Sequence, residues 1–280
     1  MIEANMADYE RQEISFGGKL RKDPKRRRGI FLLPSLFTGA NLLCGYYASV
    51  AALSGGTEDF DRAAKAIGIA IVFDAMDGRI ARLTGTNTEF GVQFDSLADV
   101  VSFGIAPAIL AYAWGYRSVT GMNPQAFEQL GHLAWICCLA FLICCAWRLA
   151  RFNVQGMAPG GSKNFVGMPT PAAAGMVAAT VHACHWIGPI SDKSWAIAWF
   201  LMMLALGALM TSTVRYYSFK DIPWTRKQPS VTIILVILLV GVIWRWSEEV
   251  LMIIAGVYAL VGLTLHVVRV LRHRMVARTV

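Results

Sequence analysis

The chain has 280 residues, of which 56% are hydrophobic, and its mean hydropathy is positive. This composition excludes an ordinary soluble domain, since such chains are only about 45–50% apolar. The formal net charge of +8 is unevenly distributed, and it indicates contact with an anionic membrane surface rather than with nucleic acid.

The first 29 residues form a polar segment that ends in a basic cluster, from Lys19 to Arg28. A basic start before an apolar run is also typical of a secretory signal peptide. The apolar run that follows, at about 30–53, is too long for the hydrophobic region of such a signal. We therefore interpret it as a retained first membrane span, preceded by a basic segment that lies at the headgroups.

Eight apolar segments follow one another, each close to the roughly 20 residues that a helix needs to cross a bilayer. Their residues do not alternate in polarity as the strands of a membrane β-barrel do. The sequence therefore predicts an all-α fold, a polytopic membrane helical bundle with about eight transmembrane helices. The segments lie at about 30–53, 64–83, 97–116, 132–151, 169–188, 194–214, 230–247 and 250–269.

The basic residues indicate the orientation of this bundle. With the N-terminus in the cytoplasm, 21 of the 26 Lys and Arg residues fall on the cytoplasmic side. Because cytoplasmic loops are enriched in Lys and Arg, both termini are predicted to be cytoplasmic, and the inner membrane of a prokaryote is the expected location. We divide the chain into a basic segment (1–29), a six-helix membrane domain (30–214), and a C-terminal part with a loop, two further helices and a basic tail (215–280).

Four aspartates occur in the segment DAMDGRIARLTGTNTEFGVQFDSLAD, within an otherwise apolar part of the chain. Asp74 and Asp77 are spaced i, i+3 on the second helix, and Asp95 and Asp99 are spaced i, i+4 on the next one, so each pair shares a helix face. The weak helix formers TGTNT between the pairs predict a reversal of the chain. The two acidic faces can then meet, and four such carboxylates form an oxygen cage for one or two Mg2+ or Mn2+ ions.

The alternative is that these carboxylates are simply solvated, or neutralised by Arg79 and Arg82. It would explain two acidic residues near a helix end, but not four with two glycines and an arginine at fixed offsets. The complete spacing is D-x2-D-G-x2-A-R-x8-G-x3-D-x3-D. This pattern is long and specific, and it resembles the signature of the CDP-alcohol phosphotransferases.

The resemblance implies a metal-assisted transfer that displaces CMP from a CDP-linked lipid. It implies that Asp74, Asp77 and Asp95 are ligands of two divalent cations, Mg2+ or Mn2+. It also implies that Asp99 lies at the second cation and is the catalytic base that accepts the proton of the incoming alcohol. Such a reaction requires the negative charge of two phosphates to be neutralised.

Residues that follow Asp77 are candidates for binding CDP-diacylglycerol. Gly78 has no side chain and Ala81 has only a methyl group, so the nucleotide can approach the helix backbone there. Arg82, one turn after Gly78, is expected to pair with the pyrophosphate through its guanidinium group. The resemblance implies a further contact from Thr88.

The first span contains LPSLFTGANLLCG, which resembles the opening segment of the family. One turn of that helix lines the nucleotide pocket, and Thr38 and Asn41 are the polar residues of this turn here. Hydrogen bonding between helices is the alternative role for each of them, and the sequence leaves both interpretations open.

The acceptor alcohol has to be inferred from other segments, because the acidic motif is common to the family. DSLADVVSFGIAPA, RLARFN and FVGMPTPAAAG, in this order, resemble the phosphatidylserine synthase branch. Arg148 and Arg151, spaced i, i+3 at the cytoplasmic end of the fourth span, suit a carboxylate or a phosphate, and the carboxylate of L-serine is one candidate. Snorkelling to the headgroups is the other interpretation. Ser102 and Asn153 are further candidates for the same pocket.

The predicted activity is transfer of the phosphatidyl group from CDP-diacylglycerol to L-serine, giving phosphatidylserine and CMP. The alternatives are a related transferase that uses glycerol-3-phosphate, inositol phosphate or choline, and, more remotely, a cation transporter. The transporter is disfavoured because the carboxylates crowd one end of the bundle and no internal repeat is visible. The expected partners are CDP-diacylglycerol, L-serine and membrane lipids, and the resemblance implies a homodimer.

Overall fold

The computed structural model describes residues 24–84, 88–117, 124–157, 167–184, 193–212, 245 and 247–276. Every regular element in these ranges is helical, as predicted. The helices are α1 (Pro24–Ser54), α2 (Thr57–Thr84), α3 (Glu89–Asp99), α4 (Ala106–Arg117), α5 (Pro124–Met157), α6 (Thr170–Ala183), α7 (Lys193–Thr211) and α8 (Ser247–Val276). A π-helical segment, Val100–Ile105, joins α3 to α4 without a break, so the described residues form seven helical rods.

Seven of the eight predicted spans overlap a described helix. The other one, 230–247, lies almost entirely outside the described residues, as does the basic segment before Pro24. Within the described ranges, four helical stretches are long and apolar enough to cross a membrane. They are Ser35–Ser54, Glu89–Tyr116, Leu130–Val154 and Ser194–Thr211.

α1 and α2 form an antiparallel hairpin around the turn Gly55-Gly56. Gly55 has a φ of +72°, a backbone conformation that glycine adopts at little cost and other residues avoid. The facing surfaces carry small side chains such as Ala48, Ala52 and Ala63, which are fully buried and let the two helices approach closely. Because the helices are antiparallel, the middle of α1 lies beside the C-terminal half of α2, where the acidic motif begins.

α6 lies at the centre of the bundle. It has 14 residues and packs against α2, α4, α7, α8 and the π-helical segment. Its buried side chains are mostly small, among them Ala173, Ala174 and Val177, so several helices can meet around it. At its N-terminal side the Met168 N–H donates to the Leu209 carbonyl of α7 over 3.0 Å.

The π-helical segment is held between α1 and α5 by contacts at two glycines. A Cβ at Gly45 of α1 would lie 2.4 Å from Ser102 Oγ and 2.6 Å from Ser102 Cα. On the other side, a Cβ at Gly104 would lie 2.9 Å from Leu142 and 3.3 Å from the Cys145 sulfur. Only glycine permits this proximity, so α1 and α5 both fix the position of the segment that directly follows Asp99.

Replacing Gly45 tests this packing. Gly45→Ala is expected to lower the free energy of unfolding by about 1–3 kcal/mol, the range found when a tight contact is overpacked, although alanine is the better helix former. Thermal unfolding in detergent measures the effect. Gly68→Ala on α2 is the matched control, because a Cβ there meets no heavy atom within 4 Å. Equal midpoints for the two variants would contradict a packing role of the Gly45 contact.

Hydrogen-bonded polar side chains join α2, α6 and α8 at the end of the bundle opposite the acidic motif. Asp61 Oδ1 lies 2.5 Å from His182 Nδ1, and His182 Nε2 lies 2.8 Å from Ser247 Oγ. Lys65 Nζ also contacts Asp61, at 2.6 Å. Asp61 is about 20 Å from Asp74 along α2, at 1.5 Å per residue. These bonds therefore attach the first residue of α8 to the bundle far from the acidic motif.

Candidate metal and nucleotide site

The α2–α3 connection brings the two halves of the acidic motif together. α2 ends at Thr84, and Thr88 is the N-cap of α3, where its Oγ1 accepts a 3.0 Å hydrogen bond from the Gly91 N–H. Such a cap satisfies one of the free N–H groups at a helix start. The Thr88 side chain is exposed and remains a candidate nucleotide contact, but its hydroxyl already has this structural role.

Three of the four predicted carboxylates meet in what we call the carboxylate cluster: Asp74 from α2, with Asp95 and Asp99 from α3. One oxygen from each lies within 4.8 Å of the other two. Asp99 is buried and the other two are half-buried. The negative charges of its neighbours act on Asp99, Asp74 most strongly and Asp95 next. Like charges held this close repel one another, which favours a site that binds a cation.

The spacing of the cluster fits a small divalent cation. Oxygens that share one Mg2+ at about 2.1 Å lie at most about 4.2 Å apart, so only a small adjustment of the side chains is needed. Carboxylate oxygens are the ligands that Mg2+ and Mn2+ prefer. The donor set and its geometry therefore both suit a hard divalent ion.

Asp77, the fourth predicted ligand, lies beside the cluster. It is 6% exposed, and Thr38 Oγ1 of α1 donates a hydrogen bond to its Oδ2. Its charge also acts on Asp99, though less than the charges of Asp74 and Asp95. Asp77 therefore faces the same region while one of its oxygens is engaged by α1.

Asp99 is engaged by α1 as well. Asn41 Nδ2 donates to Asp99 Oδ1 over 3.1 Å, and Ser102 Oγ donates to the Asn41 carbonyl over 2.9 Å. Asn41 and Ser102 are both fully buried. The two residues thus form a continuous hydrogen-bonded connection between α1 and the helix that carries Asp99. Ser102 was predicted at the acceptor pocket, and the structure places it in this helix contact.

The surface next to Asp77 is open at Gly78. Gly78 is exposed, and a Cβ built there meets no heavy atom within 4 Å. This leaves room for a ligand against the helix backbone, as the sequence predicted. Ala81 and Arg82 belong to α2, but their side chains lie outside the described residues, so their predicted contacts stay predictions.

The acceptor candidates lie on α5, which packs against the π-helical segment. Arg148 is half-buried, and its Nε has no hydrogen-bond partner among the described residues. Its side chain lies close enough to Asp99 for the two opposite charges to attract each other. A guanidinium beside the cluster, with a buried Nε that has no partner among the described residues, is suited to an incoming anion.

The other two candidates on α5 lie close to its C-terminal end. Arg151 is half-buried. Asn153 Nδ2 donates to Ser96 Oγ of α3 over 2.8 Å. Asn153 therefore connects α5 to the helix of the cluster, one turn from Asp99.

Comparison with known proteins supports the resemblance to the CDP-alcohol phosphotransferases that the acidic motif indicated. Residues 31–206 match the family described as CDP-alcohol phosphatidyltransferase. The chain belongs to this family. The predicted resemblance is thereby confirmed, and divalent-metal dependence is general in the family, in agreement with the carboxylate cluster. Together with the four apolar helices, membership of this phospholipid-synthesis family identifies a membrane protein.

Several curated relatives are similar over much of the chain. A CDP-diacylglycerol-serine O-phosphatidyltransferase of Helicobacter pylori is 32% identical over 241 residues, which cover 84% of this chain and 90% of the relative. A protein of the same name from Methanocaldococcus jannaschii is 35% identical over 153 residues, 55% of this chain and 62% of the relative. The archaetidylserine synthase of Methanothermobacter thermautotrophicus is 32% identical over 194 residues, 69% and 72% of the two chains. The names of all three relatives refer to serine, and they differ in the lipid group that is joined to it.

Proposed function

We propose that this protein transfers the phosphatidyl group of CDP-diacylglycerol to the hydroxyl of L-serine, giving phosphatidylserine and CMP. The observation that carries the proposal is the carboxylate cluster, in which Asp74, Asp95 and Asp99 converge within 4.8 Å. The acceptor is supported by the names of the relatives, which specify serine.

The residues of the acidic motif hold the metal and the nucleotide in this proposal. Asp74, Asp77, Asp95 and Asp99 are the ligands of two divalent cations, Mg2+ or Mn2+. Such cations supply neutralisation of the pyrophosphate charge and stabilisation of the leaving CMP when bound. Gly78 leaves space for the nucleotide.

Residues around this motif complete the CDP-diacylglycerol site. Arg82 pairs with the pyrophosphate, and Ala81 and Thr88 lie along the same surface. Thr38 and Asn41, which the resemblance also predicted at this site, donate hydrogen bonds to the carboxylates of Asp77 and Asp99.

Asp99 acts as the base. The serine hydroxyl oxygen forms a bond to the phosphorus that carries the diacylglycerol, the bond from this phosphorus to CMP breaks, and the hydroxyl proton passes to the Asp99 carboxylate. Arg148 binds the carboxylate of serine, and Arg151 supports it from the next turn. The attraction between Arg148 and Asp99 supports a serine bound there with its hydroxyl directed at the base.

The setting of the reaction is part of the same proposal. The enzyme is a multi-pass protein of the inner membrane, with its active site and both termini facing the cytoplasm, and it works as a homodimer. The asymmetry of the basic residues supports the orientation. The family match at 31–206 supports a catalytic membrane domain at 30–214, preceded by the basic segment 1–29 and followed by 215–280.

Release of CMP by the purified protein in detergent tests the function. The protein is given CDP-diacylglycerol with Mg2+ or Mn2+, and L-serine, glycerol-3-phosphate, inositol phosphate and choline are offered one at a time. We expect metal-dependent release with serine alone, accompanied by phosphatidylserine. Release with a different acceptor would keep the cluster chemistry and overturn the serine assignment.

Arg148→Ala is expected to raise the KM for serine by about 10- to 100-fold. A hydrogen bond to a charged group is worth about 1.5–3 kcal/mol, and each 1.4 kcal/mol corresponds to about tenfold in affinity. The KM for CDP-diacylglycerol should change much less. Arg62→Ala is the matched control, since Arg62 forms an exposed ion pair with Asp59. A raised KM for the lipid with an unchanged KM for serine would instead assign Arg148 to the pyrophosphate.

A further inference from the structure

Two polar residues of α1, Thr38 and Asn41, lie one helical turn apart and are 3% and 0% exposed. Each donates a hydrogen bond to a carboxylate on a different helix: Thr38 to Asp77 of α2, and Asn41 to Asp99 of α3. Most buried polar groups in proteins are hydrogen-bonded; the donor atoms of both residues are, while Asn41 Oδ1 has no partner among the described residues. The donors of this pair are therefore directed at two of the four acidic residues.

From this geometry we infer that Thr38 and Asn41 are positioning residues, which orient the carboxylates of Asp77 and Asp99 rather than contact the nucleotide. A carboxylate that accepts a hydrogen bond on one oxygen has a restricted rotation, and its second oxygen then points in a defined direction. Asn41 engages Oδ1 of Asp99 and so leaves Oδ2 for the cation or the proton. The inference rests on the proposed function in that these carboxylates serve metal binding and catalysis.

Asn41 is itself held in place by the helix that carries Asp99. Its backbone carbonyl accepts the Ser102 hydroxyl over 2.9 Å, so α1 contacts this helix at two points three residues apart. The missing side chain of Gly45 permits the approach, since a Cβ there would overlap Ser102. The amide of Asn41 is thus fixed relative to Asp99 by two independent contacts.

The burial of Thr38 and Asn41 favours a positioning role over direct contact with the nucleotide. A residue that binds a ligand needs accessible surface, and Asn41 has none while Thr38 is 3% exposed. Gly78 is exposed with open space around it. The nucleotide can therefore reach α2 at Gly78, whereas the donor groups of Thr38 and Asn41 contact the carboxylates of Asp77 and Asp99.

The test separates binding from turnover in the full-length protein. Thr38→Val removes the hydroxyl at nearly constant volume, Thr38→Ser retains it, and Asn41→Leu removes the amide donor. Ser49→Ala on α1 is the matched control, because its hydroxyl donates only to the Gly45 carbonyl of its own helix. Mn2+ affinity is measured by electron paramagnetic resonance, and kcat and KM by CMP release.

Groups that orient metal ligands typically change metal affinity or activity by about 10- to 100-fold when they are mutated. We expect Thr38→Val to weaken Mn2+ binding by about tenfold and Thr38→Ser to restore it. Asn41→Leu should lower kcat by about 10- to 100-fold, with the KM for CDP-diacylglycerol changed less than about twofold. Ser49→Ala should behave as wild type.

A raised KM for CDP-diacylglycerol at unchanged kcat and Mn2+ affinity would overturn the inference and assign the pair to the nucleotide. Wild-type Mn2+ affinity in Thr38→Val would also overturn it. If Asn41→Leu does not fold, the Thr38 series decides, because Thr38→Ser separates loss of the hydroxyl from loss of packing. Mn2+ binding requires no acceptor, so failure of the wild-type protein to use serine would refute the proposed function without affecting this comparison.

Discussion

Asp99→Asn is expected to lower the rate of phosphatidyl transfer by at least about 10³-fold, since general base catalysis contributes about 10²- to 10⁴-fold and a cation ligand is weakened as well. The amide has nearly the same shape as the carboxylate, and its oxygen can still accept the hydrogen bond that Asn41 donates to Oδ1. It cannot accept the serine proton at neutral pH. Binding of CDP-diacylglycerol should therefore largely persist, and single-turnover CMP release measures the loss.

Asp59→Asn is the matched control for this variant. Asp59 lies near the start of the same helix as Asp74 and forms an ion pair with Arg62 at 3.1 Å, far from the carboxylate cluster. Its replacement should leave turnover near the wild-type value. Normal turnover in Asp99→Asn would show that another group accepts the proton, and the base assignment would then be wrong.

Asp74→Ala is expected to abolish both metal binding and transfer. It removes the α2 member of the carboxylate cluster, and the ligand that then remains on α2, Asp77, has one oxygen engaged by Thr38. Mn2+ affinity should fall by more than about 100-fold, and binding of CDP-diacylglycerol should weaken with it, since the metal neutralises the pyrophosphate. Titration with Mn2+ measures the first effect and a lipid-binding assay the second.

Thermal unfolding distinguishes this loss from simple damage to the fold. A cation at 100 times its Kd stabilises the wild-type protein by about 2.7 kcal/mol, and this increment should disappear in Asp74→Ala. Without metal, the variant should be at least as stable as wild type, because one of three mutually repelling carboxylates is gone. Retention of the Mn2+-dependent stabilisation would contradict a metal-ligand role for Asp74. A chelator should inactivate the wild-type enzyme, and added Mg2+ or Mn2+ should restore it.

The acidic site was predictable from local pattern. Asp74 and Asp77 are spaced i, i+3 and Asp95 and Asp99 are spaced i, i+4, so each pair shares a helix face, and the weak helix formers between the pairs predict a reversal of the chain. In the structure three of the four, Asp74, Asp95 and Asp99, lie together. Helical periodicity and turn preference depend on residues that are close in the chain, so they can be predicted from the sequence. The all-helical fold followed in the same way from the length and apolarity of the spans.

The partners of these carboxylates were not predictable in this way. Thr38 and Asp77, and Asn41 and Asp99, are pairs far apart in the chain. The sequence left helix contacts as an alternative to nucleotide binding for the α1 residues. Such contacts depend on how whole helices rotate and pack, and this is determined by tight approaches such as Gly45 against Ser102. The cation ligands thus follow from helical period and a turn, whereas the groups that orient them follow from the packing of α1 and α5 against the helix that carries Asp99.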